Sequence, residues 1–167
     1  MDFVKINPED LKENAVQIIG YDWMLITAGN LNKYNTMTAS WGGMGLLWNK
    51  PVMFIFIRPQ RYTYQFVERE DYFSCSFFTE EYRDALNFCG SASGRDYDKA
   101  KETGLHPIIL GESVAFNESR IVINCKKVYY QDILPDNFLN ENIMKHYPAK
   151  DYHRMFIGEI TEVWTRE

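Results

Sequence analysis

The chain has 167 residues and a formal net charge of −5, with no block of lysines and arginines. A nucleic-acid surface needs a concentrated basic footprint, so this charge pattern argues against a nucleic-acid partner. Apolar residues make up 46% and aromatic residues 16% of the chain, which is a globular composition with an aromatic surplus. We expect a single domain over residues 1–167, because a chain of this length buries roughly 70% of its unfolded surface.

Neither a membrane segment nor a metal or disulfide framework is predicted. The longest apolar run, Val52 to Ile57, is far too short to cross a bilayer, and the N-terminal segment has no apolar core of a signal peptide. The three cysteines have no CxxC spacing and indicate reduced, mostly buried thiols. The three histidines lie far apart in the sequence, so no metal site is expected. We therefore expect a cytoplasmic protein without membrane association.

In chain order, seven segments rich in β-branched and aromatic residues predict strands. They are AVQIIG, WMLITAG, VMFIFIR, YFSCSFF, SVAFN, RIVINCKKVYYQ and RMFIGEITEVW. Val52 to Ile57 is apolar throughout, as expected of a strand covered on both faces. FSCSF, at 73–77, alternates as a half-buried strand does.

Helices are predicted between these strands. One predicted helix, Thr63 to Arg69, follows a polar turn. In a second, Glu80 to Phe88, apolar residues recur at helical spacing and form one stripe with Cys89. Asp96 to Glu102 follows Ser93 in an S-x-x-D capping pattern, and a fourth helix is predicted after Pro135. The order of elements predicts an antiparallel barrel with peripheral helices rather than a doubly wound sheet.

Two common kinds of site are absent from the sequence. No glycine-rich nucleotide fingerprint is present, since Trp48 stands where the third glycine would fall after Gly43 and Gly45. The segment GSASG at 90–94 has Ala92 in the place of the nucleophile-elbow serine, so a serine hydrolase is excluded.

Four other segments form an informative ordered set. They are NTMTASWGG at 35–43, RPQRYTY at 58–64, SGRDYDK at 93–99 and HRMFIGEI at 153–160. In this order and spacing they resemble the flavin reductase-like family of FMN-binding split barrels, from about Ile18 to the C-terminus. The resemblance implies a mainly β fold, a split antiparallel β-barrel with a few short peripheral helices. It also implies FMN as cofactor, with FAD as a second candidate, and NAD(P)H as co-substrate.

The same resemblance implies an NAD(P)H:flavin oxidoreductase that transfers a hydride to flavin N5. It implies a homodimer, because flavin sites of split barrels lie between protomers, and a protein electron acceptor is a further candidate partner. Two alternatives stay open. One is an FMN-binding electron carrier without its own nicotinamide site, and the other is a split-barrel binding module that has lost flavin.

NTMTASWGG combines short hydroxyls, bare backbone and a tryptophan, which suits the edge and face of a flat ring. We expect Trp41 to wall the ring or to pack beside it. The residues expected at the ring edge are Thr36, Met37, Thr38, Ala39 and Ser40. The alternative is a surface strand that ends in a glycine turn, with Trp41 in the core.

RPQRYTY places forked guanidinium donors beside the start of a helix, where free N–H groups favour an anion. The resemblance implies that Arg58, Arg61, Tyr62 and Thr63 contact the FMN phosphate and ribityl chain. The alternative is that Arg61 pairs with a surface glutamate and Thr63 only caps the helix.

The last two segments supply basic and imidazole side chains. Arg95 and Lys99 lie four residues apart on one predicted helix face and could reach a phosphate or ring oxygen, although neighbouring aspartates could equally hold them in solvent. His153 precedes a strand that resembles the last barrel strand of the family, so we predict a catalytic role for it at the nicotinamide. Family reductases read Gly-Asp-His there, whereas this chain reads Asp151-Tyr152-His153. The alternative role of His153 is packing under Tyr152.

Overall fold

A computed structural model describes residues 2–166. The strands are β1 (Val4–Ile6), β2 (Met24–Asn30), β3 (Lys33–Ala39), β4 (Gly42–Leu47), β5 (Lys50–Ile57), β6 (Tyr72–Phe77), β7 (Pro107–Leu110), β8 (Ser113–Phe116), β9 (Ile121–Asp132) and β10 (Arg154–Thr165). The α-helices are α1 (Ala15–Gln17), α2 (Tyr62–Arg69), α3 (Arg83–Ser91) and α4 (Lys99–Thr103). Segments of 3₁₀ helix cover Pro8–Asp10, Glu80–Tyr82, Pro135–Asn137 and Glu141–His146, and a π-helical turn covers Ile18–Asp22.

One antiparallel sheet of eight strands carries the fold, in the order β3-β2-β6-β9-β10-β5-β4, with β1 added beside the C-terminal end of β10. β7 and β8 form a separate hairpin. The outermost strands, β3 and β4, are consecutive in the chain, and Ser40 and Trp41 connect them. The sheet is therefore open at this connection. This arrangement confirms the predicted fold class, a split antiparallel β-barrel with short peripheral helices.

Two apolar clusters fill the molecule. The larger cluster lies inside the curved sheet and includes Phe73, Phe77 and Phe156, each at most 1% exposed. The smaller cluster joins Leu25 of β2 and Phe116 of β8 to α3 and α4. Burial of each such side chain contributes roughly 1.5 to 3 kcal/mol, so the helices are held to one side of the sheet. Between residues 2 and 166, no helix is both long and apolar enough to cross a bilayer.

The strand prediction for AVQIIG is wrong, because these residues form α1 and the start of the π turn. The Asn14 side chain accepts hydrogen bonds from the N–H groups of Val16 at 3.0 Å and Gln17 at 3.2 Å. This cap starts a helical turn. A short apolar run cannot be assigned to strand or helix by periodicity alone.

Burial on the sheet also differs from two predictions. FSCSF is buried at every position. Ser74 faces the β7–β8 hairpin and donates to the Val114 carbonyl at 2.6 Å, whereas Ser76 Oγ is buried without a hydrogen-bond partner within residues 2–166. A hydroxyl that finds a backbone partner can be buried at low cost. In the segment 52–57, Phe54 and Phe56 are only half-buried, so the outer face of β5 is partly open.

The predicted helix over 96–102 is displaced. Asp98 accepts a hydrogen bond from the Lys101 N–H at 3.2 Å and caps α4, which begins at Lys99. Ser93 instead closes a turn, with the Asp96 N–H donating to its carbonyl at 3.1 Å. Arg95 therefore lies before the helix and does not share its face with Lys99. The segment after Pro135 forms only a three-residue 3₁₀ turn.

Gly158 of β10 provides a test of the packing inside the barrel. A Cβ atom at this position would lie 2.6 Å from both Cys125 Cβ and Phe73 Cζ. We expect Gly158→Ala to lower the free energy of unfolding by about 1 to 3 kcal/mol, because the core must shift to admit the methyl group. Gly45→Ala is the matched control, since no atom lies within 4 Å of its added Cβ. Urea unfolding that gives equal stabilities for the two variants would contradict this packing.

Candidate functional site

A cavity of about 210 Å³ lies where the sheet is open, and we call it the split cavity. The end of β3, the connection to β4, the end of β5 and the residue before β10 form its wall. The lining residues are Met37, Thr38, Ala39, Ser40, Trp41, Phe56, Arg58, Arg61 and His153. All of these except Phe56 were predicted as site residues. Phe56 was not predicted, because it lies in a continuous apolar run and such a run does not show which of its residues are half-exposed.

A second cavity, of about 180 Å³, shares Arg61 with the split cavity, and we call it the basic cavity. It is formed by the start of α2, the end of α3 and the following turn. Its lining residues are Gln60, Arg61, Tyr62, Thr63, Ser91, Ala92, Ser93, Arg95 and Lys99. The discarded GSASG segment thus contributes part of this wall. Two serine hydroxyls between two glycines were the sequence feature that could have indicated Ser91 and Ser93 as site residues.

The end of β3 is tied to α3 at the split cavity. Thr38 Oγ1 donates a hydrogen bond to the Leu86 carbonyl. Gly90 permits this approach, since a Cβ there would lie 3.2 Å from Thr38 Cβ. The Thr38 hydroxyl proton is therefore used within the protein, while Thr38, Ala39 and Ser40 line the split cavity.

Trp41 lies at the mouth of the split cavity with 46% of its surface exposed. Its ring is 5.3 Å from the rings of both His146 and His153. The alternative that placed Trp41 in the core is therefore wrong. An exposed aromatic face beside a cavity is suited to cover a planar ligand.

Arg61 and Lys99 are two cations without an acidic partner. Arg61 Nη1 donates to the Gly90 carbonyl at 2.9 Å, whereas Nη2 is buried without a hydrogen-bond partner within residues 2–166. Lys99 is 5% exposed, and its Nζ donates to the carbonyls of Thr36 and Cys89, both at 2.8 Å. Neither cation forms an ion pair with a described residue. The surface pairing considered for Arg61 is therefore wrong.

The pKa values of both cations show the cost of this burial. Burial lowers the pKa of Lys99 from 10.5 to about 8, and the charge of Arg61 acts in the same direction against the opposing effect of Cys89. Burial and the nearby Arg58 likewise lower the pKa of Arg61. A charge removed from water is unfavourable unless an opposite charge compensates it. The site therefore favours an anionic ligand group.

Arg58 serves the segment after β9 rather than the basic cavity. Its Nη1 lies 2.9 Å from Asp151 Oδ1, and its Nη2 donates to the His146 carbonyl at 2.9 Å. Its guanidinium also lies 4.9 Å from the centre of the Tyr147 ring. The structure thus separates Arg58, which lines the split cavity, from Arg61, which lines both cavities.

Three other predicted residues have partners of their own. Thr63 Oγ1 accepts a hydrogen bond from Asn35 Nδ2 at 2.7 Å, so Thr63 does not cap α2. The Arg95 guanidinium lies 4.8 Å from the centre of the Tyr62 ring. Thr36 is 1% exposed, and its Oγ1 lies 2.8 Å from Thr27 Oγ1. Thr36 is the one predicted residue outside the linings of both the split and the basic cavity.

His153 is nearly buried, with 8% of its surface exposed. Its Nδ1 lies 2.8 Å from the Tyr147 hydroxyl, so its partner is Tyr147 rather than the Tyr152 of the packing alternative. Burial lowers the pKa of His153 from 6.5 to about 4, the charge of Arg58 adds to this, and Asp151 opposes it. The imidazole is therefore neutral at pH 7.

This lowered pKa predicts a loss of stability in acid. Below pH 6.5 the unfolded chain takes up a proton on His153, whereas the folded chain does so only near pH 4. The stabilisation of the folded state that comes from the neutral His153 is fully present above pH 6.5 and is lost as the pH falls towards 4. Between pH 6.5 and pH 4, we expect the free energy of unfolding of the wild type to fall by about 1 to 3 kcal/mol more than that of His153→Gln. If the free energy of unfolding fell equally with pH in the two proteins, the lowered pKa of His153 would be contradicted.

Comparisons with known proteins concern the family and the fold of the chain. A family model described as flavin reductase like domain matches residues 17–167. No curated protein sequence matches the chain. The fold is similar to an FMN-binding domain of a flavin reductases-like enzyme from Shewanella baltica OS155, at 17% identity over 98% of this chain and 77% of that chain, with a TM-score of 0.71.

Two further solved structures share the fold at low identity. Flavoredoxin of Desulfovibrio vulgaris (Miyazaki F) is 22% identical over 87% of this chain and 69% of its own, with a TM-score of 0.68. The NADH:FAD oxidoreductase SgcE6 of Streptomyces globisporus C-1027 is 14% identical over 87% and 74% of the two chains, with a TM-score of 0.67. The matched family model covers nearly the whole chain, and this protein therefore belongs to the flavin reductase-like family.

Proposed function

We propose that the protein binds FMN and acts as an NAD(P)H:flavin oxidoreductase. The observation that carries the proposal is a pair of cations, the buried Lys99 and the half-buried Arg61 with its buried Nη2. Neither has an anionic partner within residues 2–166, and they line a cavity next to one walled by Trp41. A phosphate would supply the missing charge, and a planar ring would fill the open split. FAD is a second candidate cofactor, because it carries the same ring.

The residues present fit the phosphate of FMN. Arg61 Nη2 is a buried donor without a partner among the described residues, and a buried unpaired donor costs about 1 to 3 kcal/mol. Lys99 has three N–H donors and uses two of them for backbone carbonyls. Ser91 and Ser93 add hydroxyls to the same wall, and Arg95 adds a further charge. These groups would hold the phosphate by charge-assisted hydrogen bonds.

The split cavity fits the ring. The segment Thr38 to Ser40 would present backbone groups to the ring edge, and Trp41 and Phe56 would enclose its faces. When bound, FMN supplies a ring that accepts a hydride at N5 from NAD(P)H and passes electrons to an acceptor. The chain contributes binding, orientation and polarity. His153 is placed at the wall as a neutral imidazole, so it can hydrogen-bond to the nicotinamide without adding a fixed charge.

We also propose a homodimer. Four large apolar side chains near the β4–β5 turn and on β9 are exposed: Leu46 at 73%, Trp48 at 57%, Val128 at 44% and Tyr129 at 41%. Trp48 packs edge-on against Tyr129 at 6.0 Å, so these two side chains form one exposed apolar patch, and Leu46 and Val128 lie close to them in the sequence. An exposed apolar patch of this kind is typical of a protein interface, and a second copy beside β4 would cover it.

A cytoplasmic location is a further proposal, supported by three buried cysteines that are all unpaired. We propose a protein electron acceptor in the same compartment as a further partner.

The electron-carrier alternative has one observation in its favour. The chain reads Asp151-Tyr152-His153 where the resemblance implies Gly-Asp-His. Two similar structures are flavoredoxins, from Methanosarcina acetivorans and from Desulfovibrio vulgaris. In this alternative, reduced FMN would be formed by another protein rather than by NAD(P)H. A purified protein without bound yellow flavin, which also failed to bind added FMN, would instead indicate a binding module that has lost flavin.

Arg61→Ala tests the phosphate assignment. We expect it to weaken FMN about tenfold or more and to leave riboflavin almost unchanged, because a charge-assisted hydrogen bond is worth roughly 1.5 to 3 kcal/mol. Arg58→Ala is the matched control, since Arg58 is bonded to Asp151 and the His146 carbonyl. The control should leave the ratio of FMN to riboflavin affinity unchanged. Fluorescence titrations that show equal losses of both ligands in Arg61→Ala would remove Arg61 from the phosphate site.

Anaerobic reduction tests the reaction. We expect NADH or NADPH to bleach the flavin absorbance of the FMN-loaded protein, because the nicotinamide would lie at the wall of the split cavity. Dithionite provides the control for a reducible flavin. Flavin that dithionite bleaches but neither nicotinamide reduces would favour the electron carrier.

A further inference from the structure

Tyr147 is a buried tyrosine that the proposed chemistry leaves unused. It is 5% exposed and lies in the segment between β9 and β10. Its ring stacks on Phe138 at 6.0 Å with an interplanar angle of 26°, and the Arg58 guanidinium lies 4.9 Å from its centre. Packing by these two residues fixes the direction of its hydroxyl. That hydroxyl lies 2.8 Å from His153 Nδ1.

The direction of this hydrogen bond follows from what the hydroxyl can reach. His153 Nδ1 is the only hydrogen-bond acceptor that the Tyr147 hydroxyl reaches within residues 2–166. If Nδ1 were the donor, the buried Tyr147 proton would have no acceptor, which costs about as much as a lost hydrogen bond. The hydroxyl therefore donates to Nδ1. A neutral imidazole carries one proton, so this proton is on Nε2.

We propose that Tyr147 is a positioning residue that holds His153 in the Nε2-protonated tautomer and so places a neutral donor at the wall of the split cavity. His153 lines this cavity together with Trp41, whose ring is 5.3 Å from the imidazole. The chemical class that this donor suits is a carbonyl oxygen, such as that of a nicotinamide carboxamide. This catalytic consequence rests on the proposed function, whereas the tautomer itself depends only on the protein.

Tyr147→Phe tests the proposal, because it removes the hydroxyl and keeps the ring that Phe138 and Arg58 contact. Tyr152→Phe is the matched control, since the Tyr152 ring is 5.0 Å from that of Tyr147 and belongs to the same cluster. Thermal unfolding establishes that both variants fold. Nitrogen-15 NMR of histidine-labelled, flavin-free protein reads the tautomer directly. We expect the Nε2-protonated form in the wild type and in Tyr152→Phe, and a mixture or the opposite tautomer in Tyr147→Phe.

The kinetic measurement uses the FMN-loaded proteins. We expect Tyr147→Phe to slow reduction by NADH or NADPH about fivefold, the effect of one neutral hydrogen bond, with unchanged FMN affinity. The same His153 tautomer in all three proteins would overturn the positioning role. A changed tautomer with equal reduction rates would overturn its link to the reaction. A wild type that binds no FMN contradicts the proposed function instead, and the flavin-free NMR result is independent of it.

Discussion

The ammonium group of Lys99 joins the two parts of the molecule that form the site. It donates at 2.8 Å to the Thr36 carbonyl on β3 and at 2.8 Å to the Cys89 carbonyl on α3. The helical side is thereby fixed against the edge of the barrel, next to the Thr38 contact with Leu86. This connection buries a positive charge that no carboxylate of residues 2–166 balances. The arrangement that fixes the site thus also makes it favour an anion.

The location of the site follows from the topology of the sheet. β3 and β4 are neighbours in the chain but lie at opposite ends of the strand order, and Ser40 and Trp41 cross the gap. A gap in a barrel leaves backbone groups without ladder partners, and these are the groups that a flat polar-edged ligand can use. The segment between β9 and β10 closes one side of the gap, because Arg58 holds it through Asp151 and the His146 carbonyl.

Much of this arrangement could be predicted from residue types. The apolar and β-branched runs of β5, β9 and β10 indicated central strands, and four short segments indicated which parts of the chain meet. β3 and β4 were missed as strands. The glycines of β4 and Asn35 of β3 have low strand propensity and are held here by pairing, and the strand-favouring Thr36 and Thr38 of β3 were assigned to the ring edge. The roles of Arg58 and Arg61 could not be separated from sequence. They are three positions apart, but Arg58 directly follows β5 and Arg61 directly precedes α2. Tyr147 gave no signal, because its role depends on a contact with His153 across a loop.

The most direct test of the account is the pKa of the Lys99 ammonium group, measured by NMR titration of lysine-labelled protein. In the flavin-free protein this pKa is lowered to about 8. If the phosphate of FMN supplies the missing negative charge, FMN should raise the pKa by at least about one unit, and riboflavin should leave it nearly unchanged. An equal response to FMN and riboflavin would contradict the account, because it would place the phosphate away from Lys99.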